Sequence, residues 1–129
     1  MHFPDDLKYT KEHEWVRVKG NVATIGITDW AQDQLGEIVF VELPEEGEEV
    51  EKDDTFGVVE STKSVNDLYL PVTGSVVEAN DPLVDSPEII NEDCYGEGWM
   101  IKVEMADKSE LDELMSADEY EAYIKEESE

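Results

Sequence analysis

GVVESTKSVNDLYLPVTG, residues 57–74, reads as two strands around a short polar turn, with one lysine, Lys63, at the turn. Residues 55–61 (TFGVVES) and 65–72 (VNDLYLPV) are rich in β-branched and large apolar side chains, which predicts a pair of strands. Pro71 falls near the end of the second, or at an edge, where a missing N–H is tolerated. Ser61, Thr62 and Ser64 are small and uncharged, so little crowds the amine. Taken alone, a lysine in a turn is a solvated charge. But apart from Lys63 no basic residue lies between Lys52 and Lys102. A modifying enzyme would find one accessible amine on a stiff protrusion. Lysine suits the attachment of a carboxylic acid cofactor, because its amine forms a stable amide and its four-carbon stem lengthens the arm. As a direct nucleophile it would need a desolvated pocket to lower its pKa, and a polar turn does not suggest one.

Working outward, EWVRVK (14–19) and VATIGI (22–27) alternate as strands around a Gly20-Asn21 turn. Thr28 is placed to cap a short helix, DWAQDQL, that ends at Gly36. EIVFVEL is strand-like and stops at Pro44, and PEEGEEVEKDD is polar and turn-rich. GSVVEAN (74–80) and WMIKVE (99–104) are the remaining strands. Several short strands at this spacing predict a small barrel or sandwich. In the tail, Ser109 to Asp112 and Ser116 to Glu119 have the capping-box pattern. Leu111, Leu114 and Met115, then Tyr120, Tyr123 and Ile124, recur at helical spacing, so two helices should pack on the β-body. The terminal KEESE reads as frayed. A faint repeat aligns residues 36–44 (GEIVFVELP) with 74–82 (GSVVEANDP) at constant offset, each followed by another strand-like run. Such copies could pair as a pseudo-symmetric sheet-on-sheet structure.

The 129 residues are expected to form one domain, with the β-body at about 7–105 and C-terminal helices at about 108–125. The formal net charge is −26, with 35 acidic residues against 9 basic ones. That argues against nucleic acid and against an anionic membrane surface, both of which need basic protein surface. The acid excess reads either as a solvated surface that keeps the protein soluble and monomeric or as adaptation to high salt. The single cysteine, Cys94, permits no intramolecular disulfide, and no signal peptide or transmembrane run is visible, so a cytoplasmic setting is expected. Both histidines, His2 and His13, lie near the N-terminus, and neither metal-ligand spacing nor a phosphate loop occurs.

ESTKS with the following NDLYLPVTG resembles the lipoyl-lysine hairpin of the glycine cleavage system H protein family. LKYTKEHEWVRV, VATIGITDWAQDQLGEIVFVELPEEGEEV, VVEANDPLVDSPEIIN and YGEGWMIKV are similar too, in the same order, over about residues 7–124. The resemblance implies a mainly β fold with an α+β tail. This is the lipoyl/biotinyl-type flattened β-barrel, or barrel-sandwich hybrid, with a short N-terminal helix and C-terminal helices. It implies a non-catalytic carrier with lipoate in amide linkage to Lys63. The arm would take an aminomethyl group from the glycine decarboxylase, the P protein. It would pass the methylene unit to the folate-dependent T protein and be reoxidised by the flavin-containing L protein. A lipoate-attaching enzyme would load it, and Glu60 would help that enzyme recognise the turn. Glu12, Glu14 and Asp67 are candidates to pair with the aminomethyl ammonium in a sheltering cleft. Thr62 and Ser64 stand where the family commonly has valine and alanine, and Trp30 and Gln34 stand where histidine occurs.

Biotin carriers share the hairpin logic but flank the lysine with methionines. Lipoyl domains of 2-oxoacid dehydrogenases usually carry linkers and an acyltransferase domain. An H-like lipoyl carrier used for lipoate relay or sulfur metabolism is the alternative closest in function. An enzyme would leave Cys94 and His13 without partners, and an adaptor would leave Lys63 unexplained.

Overall fold

The structure is a computed structural model that describes residues 1–128. Nine strands and four α-helices form among the described residues; the seven expected strands appear in order, joined by two further short strands and two further short helices. The strands are β1 (Lys8–Tyr9), β2 (Glu14–Lys19), β3 (Val22–Ile27), β4 (Ile38–Glu42), β5 (Glu49–Val50), β6 (Thr55–Ser61), β7 (Val65–Tyr69), β8 (Gly74–Ala79) and β9 (Ile101–Met105). The helices are α1 (Asp29–Leu35), α2 (Pro82–Asp85), α3 (Ile89–Glu92) and α4 (Ala117–Ser128), with a 3₁₀ turn at Lys108–Glu113.

Two open antiparallel sheets form. One runs β1-β2-β3-β9-β8-β5 and the other β4-β6-β7. Their inward side chains, among them Val16, Ile25 and Val103 from the first and Val41, Val59 and Leu68 from the second, share one buried cluster. In β9 the alternation is clean: Ile101, Val103 and Met105 are buried while Glu104 is exposed. The result is the flattened, incompletely closed barrel that the resemblance implied. A second cluster joins Leu7, Tyr9 and Trp15 to Ala117, Tyr120 and Ile124, so α4 closes one end of the body. There Tyr9 and Tyr120 stack with ring centroids 4.8 Å apart.

The repeat survives as a pair of bulged antiparallel strand pairs. β4 pairs β6 with a register shift between Ile38 and Phe40. β8 pairs β9 with a register shift between Val76 and Glu78. The two bulges sit at equivalent positions of the aligned copies, one in each sheet. An extra residue at the same step bends both strands in the same way.

Thr28 caps α1, its hydroxyl accepting from Ala31 N–H at 3.1 Å, and Gly36 ends the helix at φ +78°. Ser116 and Glu119 form the expected reciprocal box: Ser116 N–H donates to Glu119 at 2.9 Å, and Glu119 N–H donates to the Ser116 hydroxyl at 3.2 Å. The other expected box does not form. Asp107, not Ser109, caps its segment by accepting from Ser109 N–H at 3.0 Å, and the run closes as a 3₁₀ turn. KEESE was expected to fray, but α4 continues through Ser128; Glu129 lies outside the described residues.

Candidate functional site

Lys63 stands at the tip of the β6–β7 hairpin, exposed, after the last paired residues Glu60 and Val65. The tip is organised by Ser61, a residue that sequence reasoning valued only for its size. Its buried hydroxyl accepts from Lys63 N–H at 3.1 Å and from Ser64 N–H at 3.2 Å. Its own N–H donates to the Ser64 carbonyl at 2.8 Å. A serine side chain that satisfies two turn amides holds the loop in one shape. Thr62 N–H then donates to the Glu37 carbonyl at 3.1 Å, pinning the tip to the loop that follows α1.

That loop is where the lysine stem lies. A Cβ on Gly36 would come within 3.2 Å of Lys63 Cε and 3.4 Å of Nζ. Glycine therefore serves twice: it adopts the left-handed helix end and leaves room for the stem. Asn91 of α3 fixes the same loop. Its amide nitrogen donates to the Gly36 carbonyl at 2.8 Å and to the Gln32 side chain at 3.0 Å. Its oxygen accepts from Ile38 N–H at 2.9 Å.

Beside α1 a cleft of 340 Å³ opens between the helix, β7 and residues 12–14. Trp30, Ala31, Gln34 and Leu35 line it from one face of α1. Ile27, Val59 and Leu68 add apolar wall. Glu12, Glu14 and Asp67, the three carboxylates singled out by motif position, all line this cleft, as do Trp30 and Gln34. Glu60 does not; it pairs with Phe40 and Val65 across the sheet.

The three acids differ in setting. Glu12 and Asp67 are exposed, whereas Glu14 retains only 2% of its accessible surface. Thr10 O–H donates to one Glu14 oxygen at 2.6 Å and Tyr69 N–H approaches the other at 3.4 Å. No cation pairs with Glu14 among the described residues. Burial pushes its carboxyl up to about 7, against the opposing hydrogen bonds from Thr10 and Tyr69. A buried carboxylate without a cation shifts toward its neutral form.

His13 also lines the cleft. Its ring packs against Trp30 at 4.3 Å between centroids, tilted by 35°, and its Nδ1 lies 2.9 Å from the Tyr120 hydroxyl. Its Nε2 lies 3.4 Å from the Glu127 carboxylate. Burial nevertheless holds its pKa below the ordinary imidazole value. The Tyr120 hydroxyl also meets the Thr28 hydroxyl at 2.7 Å, so α4 supports both the capped start of α1 and the histidine. Cys94 is buried and burial pushes its thiol up to about 12, which leaves it unreactive at neutral pH. No helix among the described residues is long and apolar enough to cross a membrane.

A family model described as glycine cleavage H-protein matches residues 7–127. The chain belongs to this family. It is 57% identical over 126 residues to the glycine cleavage system H protein of Carboxydothermus hydrogenoformans, covering 98% of this chain and 97% of that one. It is 59% identical over 124 residues to that of Staphylococcus haemolyticus, covering 96% and 98%. The crystal structure of the H protein from Mycobacterium marinum superposes with a TM-score of 0.84 at 40% identity, over 93% of this chain and 97% of that one. H proteins are lipoate-bearing carriers of the glycine cleavage system, and that carrier role is the function of this chain.

Proposed function

We propose that Lys63 is the attachment residue, bearing lipoate through an amide, and that the 340 Å³ cleft shelters the arm. The observation that carries this reading is the lysine stem lying over Gly36, at the end of the helix whose face lines that cleft. The residues fit the group. Leu35, Ala31, Ile27, Val59 and Leu68 offer a hydrocarbon wall for an acyl chain. Lipoate, when bound, supplies a dithiolane that opens to carry a group on one sulfur while the other is reduced. The chain's own residues bind, orient and exclude water. Glu14, buried in the cleft wall, would accept hydrogen bonds from a cationic amine and be held ionised by it. Glu12 and Asp67 would add longer-range attraction from the rim.

In this reading the chain performs no chemistry itself. It raises the effective concentration of a bound intermediate near the P, T and L proteins in turn, after a lipoate-attaching enzyme has loaded it. The setting is cytoplasmic and the carrier is a monomer. The test is Lys63→Arg. The variant should melt like the wild type yet support no glycine–bicarbonate exchange with the P protein. Retained exchange in that variant would overturn the assignment.

A further inference from the structure

Trp30 lines the cleft in a particular way. Of the three tryptophans, Trp15 is fully buried with its indole N–H donated to the Cys94 carbonyl at 3.0 Å. Trp99 lies under the Lys102 ammonium, 4.8 Å from its ring centroid. Neither lines the cleft; Trp30 does, half-buried. Its ring is braced by a neighbour in the cleft wall. His13, whose ring lies against it at 4.3 Å with a 35° tilt, has φ +74° and is held by the Tyr120 hydroxyl at 2.9 Å and by Glu127 at 3.4 Å. An indole backed in this way presents a fixed aromatic surface rather than a mobile one.

Its position along α1 matters. Trp30 lies toward the N-terminal end of the helix, and Gly36, against which the Lys63 stem rests, ends it. The separation along the axis is about 9 Å at the helical rise per residue. The eight-carbon acyl chain of lipoate, extended from an amide nitrogen at ordinary bond lengths, spans about the same distance. An arm laid along the 30/31/34/35 face therefore ends beside Trp30, His13 and Glu14. The two sulfurs are the polarisable end of that arm, and sulfur against an aromatic ring is a favourable contact.

We propose that Trp30 is a binding residue for the sulfur end of the arm, and that its contact keeps the arm seated in the cleft. This rests on Lys63 bearing lipoate. Seating is then shared between an apolar wall along α1, an aromatic seat for sulfur and a carboxylate for a cationic group. Because Tyr120 braces both His13 and Thr28, the C-terminal helix sets the geometry of that seat.

The test uses protein carrying 5-fluorotryptophan, with and without the arm, its position mapped by mass spectrometry. The Trp30 fluorine signal, assigned by its absence from Trp30→Phe, should shift on loading while those of Trp15 and Trp99 stay put. It should shift again when the dithiolane is reduced. A water-soluble phosphine should reduce the dithiolane about two- to tenfold faster in Trp30→Leu than in wild type, with Trp30→Phe close to wild type. The fluorine shifts are read on wild-type protein, and the conservative Trp30→Phe serves only to assign the signal. With the arm mapped to Lys63, an unmoved Trp30 signal, or equal reduction rates in wild type and Trp30→Leu, would overturn the role of Trp30 alone. Absence of an arm on Lys63 would overturn this inference together with the attachment reading.

Discussion

At the scale of single residues, Lys63 depends on two neighbours of different kinds. Ser61 shapes the turn through its hydroxyl, and Gly36 gives the stem a place to lie. Glu14 has a pH-dependent consequence near neutrality. Its folded-state pKa of about 7 lies above the ordinary value of 4.5, so the folded state binds the proton more tightly than the unfolded one. The sign follows from that: its stability contribution is fully present below about pH 4.5 and is lost as pH rises through 7. Glu14→Gln should therefore gain stability relative to wild type by about 2 kcal/mol between pH 5 and pH 8. Parallel urea titrations at the two pH values measure this, and a pH-independent difference would contradict the burial argument. The exposed position of Lys63 at a hairpin tip was legible in the sequence because its signal is local, one amine among small residues in a turn. Glu14 was only one of three candidate acids, since sequence position says nothing about which carboxylate the fold desolvates.

At the scale of elements, local chemistry was again the readable part. The Thr28 cap, the Gly36 terminus and the Ser116–Glu119 box all involve residues within one or two turns of each other. The boxes at 109 and 116 look alike as patterns, but Asp107 lies closer to its amide and wins the first. β1 and β5 have two residues each, and α2 and α3 four, too few to show a period. Asn91 was invisible for a different reason: its partners Ile38, Gly36 and Gln32 lie 53, 55 and 59 residues away. Asn91→Ala would orphan the Ile38 N–H and free the loop under Lys63. It should cost about 2–3 kcal/mol in chemical denaturation. A loss under 0.5 kcal/mol, the size of an ordinary surface change, would show that the clamp is dispensable.

At the scale of the whole molecule, two open sheets enclose the core and α4 covers one end, as the strand pattern and tail periodicity predicted. The faint repeat was legible as sequence, but its matching bulges needed the strand registers. Charge is also a global property. With a net −26, self-repulsion should make stability rise with salt until the charges are screened. The melting temperature should climb by about 4 °C or more between 10 mM and 1 M NaCl. Equal melting at both concentrations would mean the acidic surface is spaced widely enough to cost nothing, and would remove high-salt adaptation as its explanation. The central claim is that one amine of this chain carries the arm. Intact mass followed by peptide mapping, on protein made in cells supplied with lipoate and a competent ligase, tests it most directly. A single lipoyl increment, located on Lys63 and absent from Lys63→Arg, is the expected result. No increment on the folded protein, or an increment on any other lysine, would contradict it.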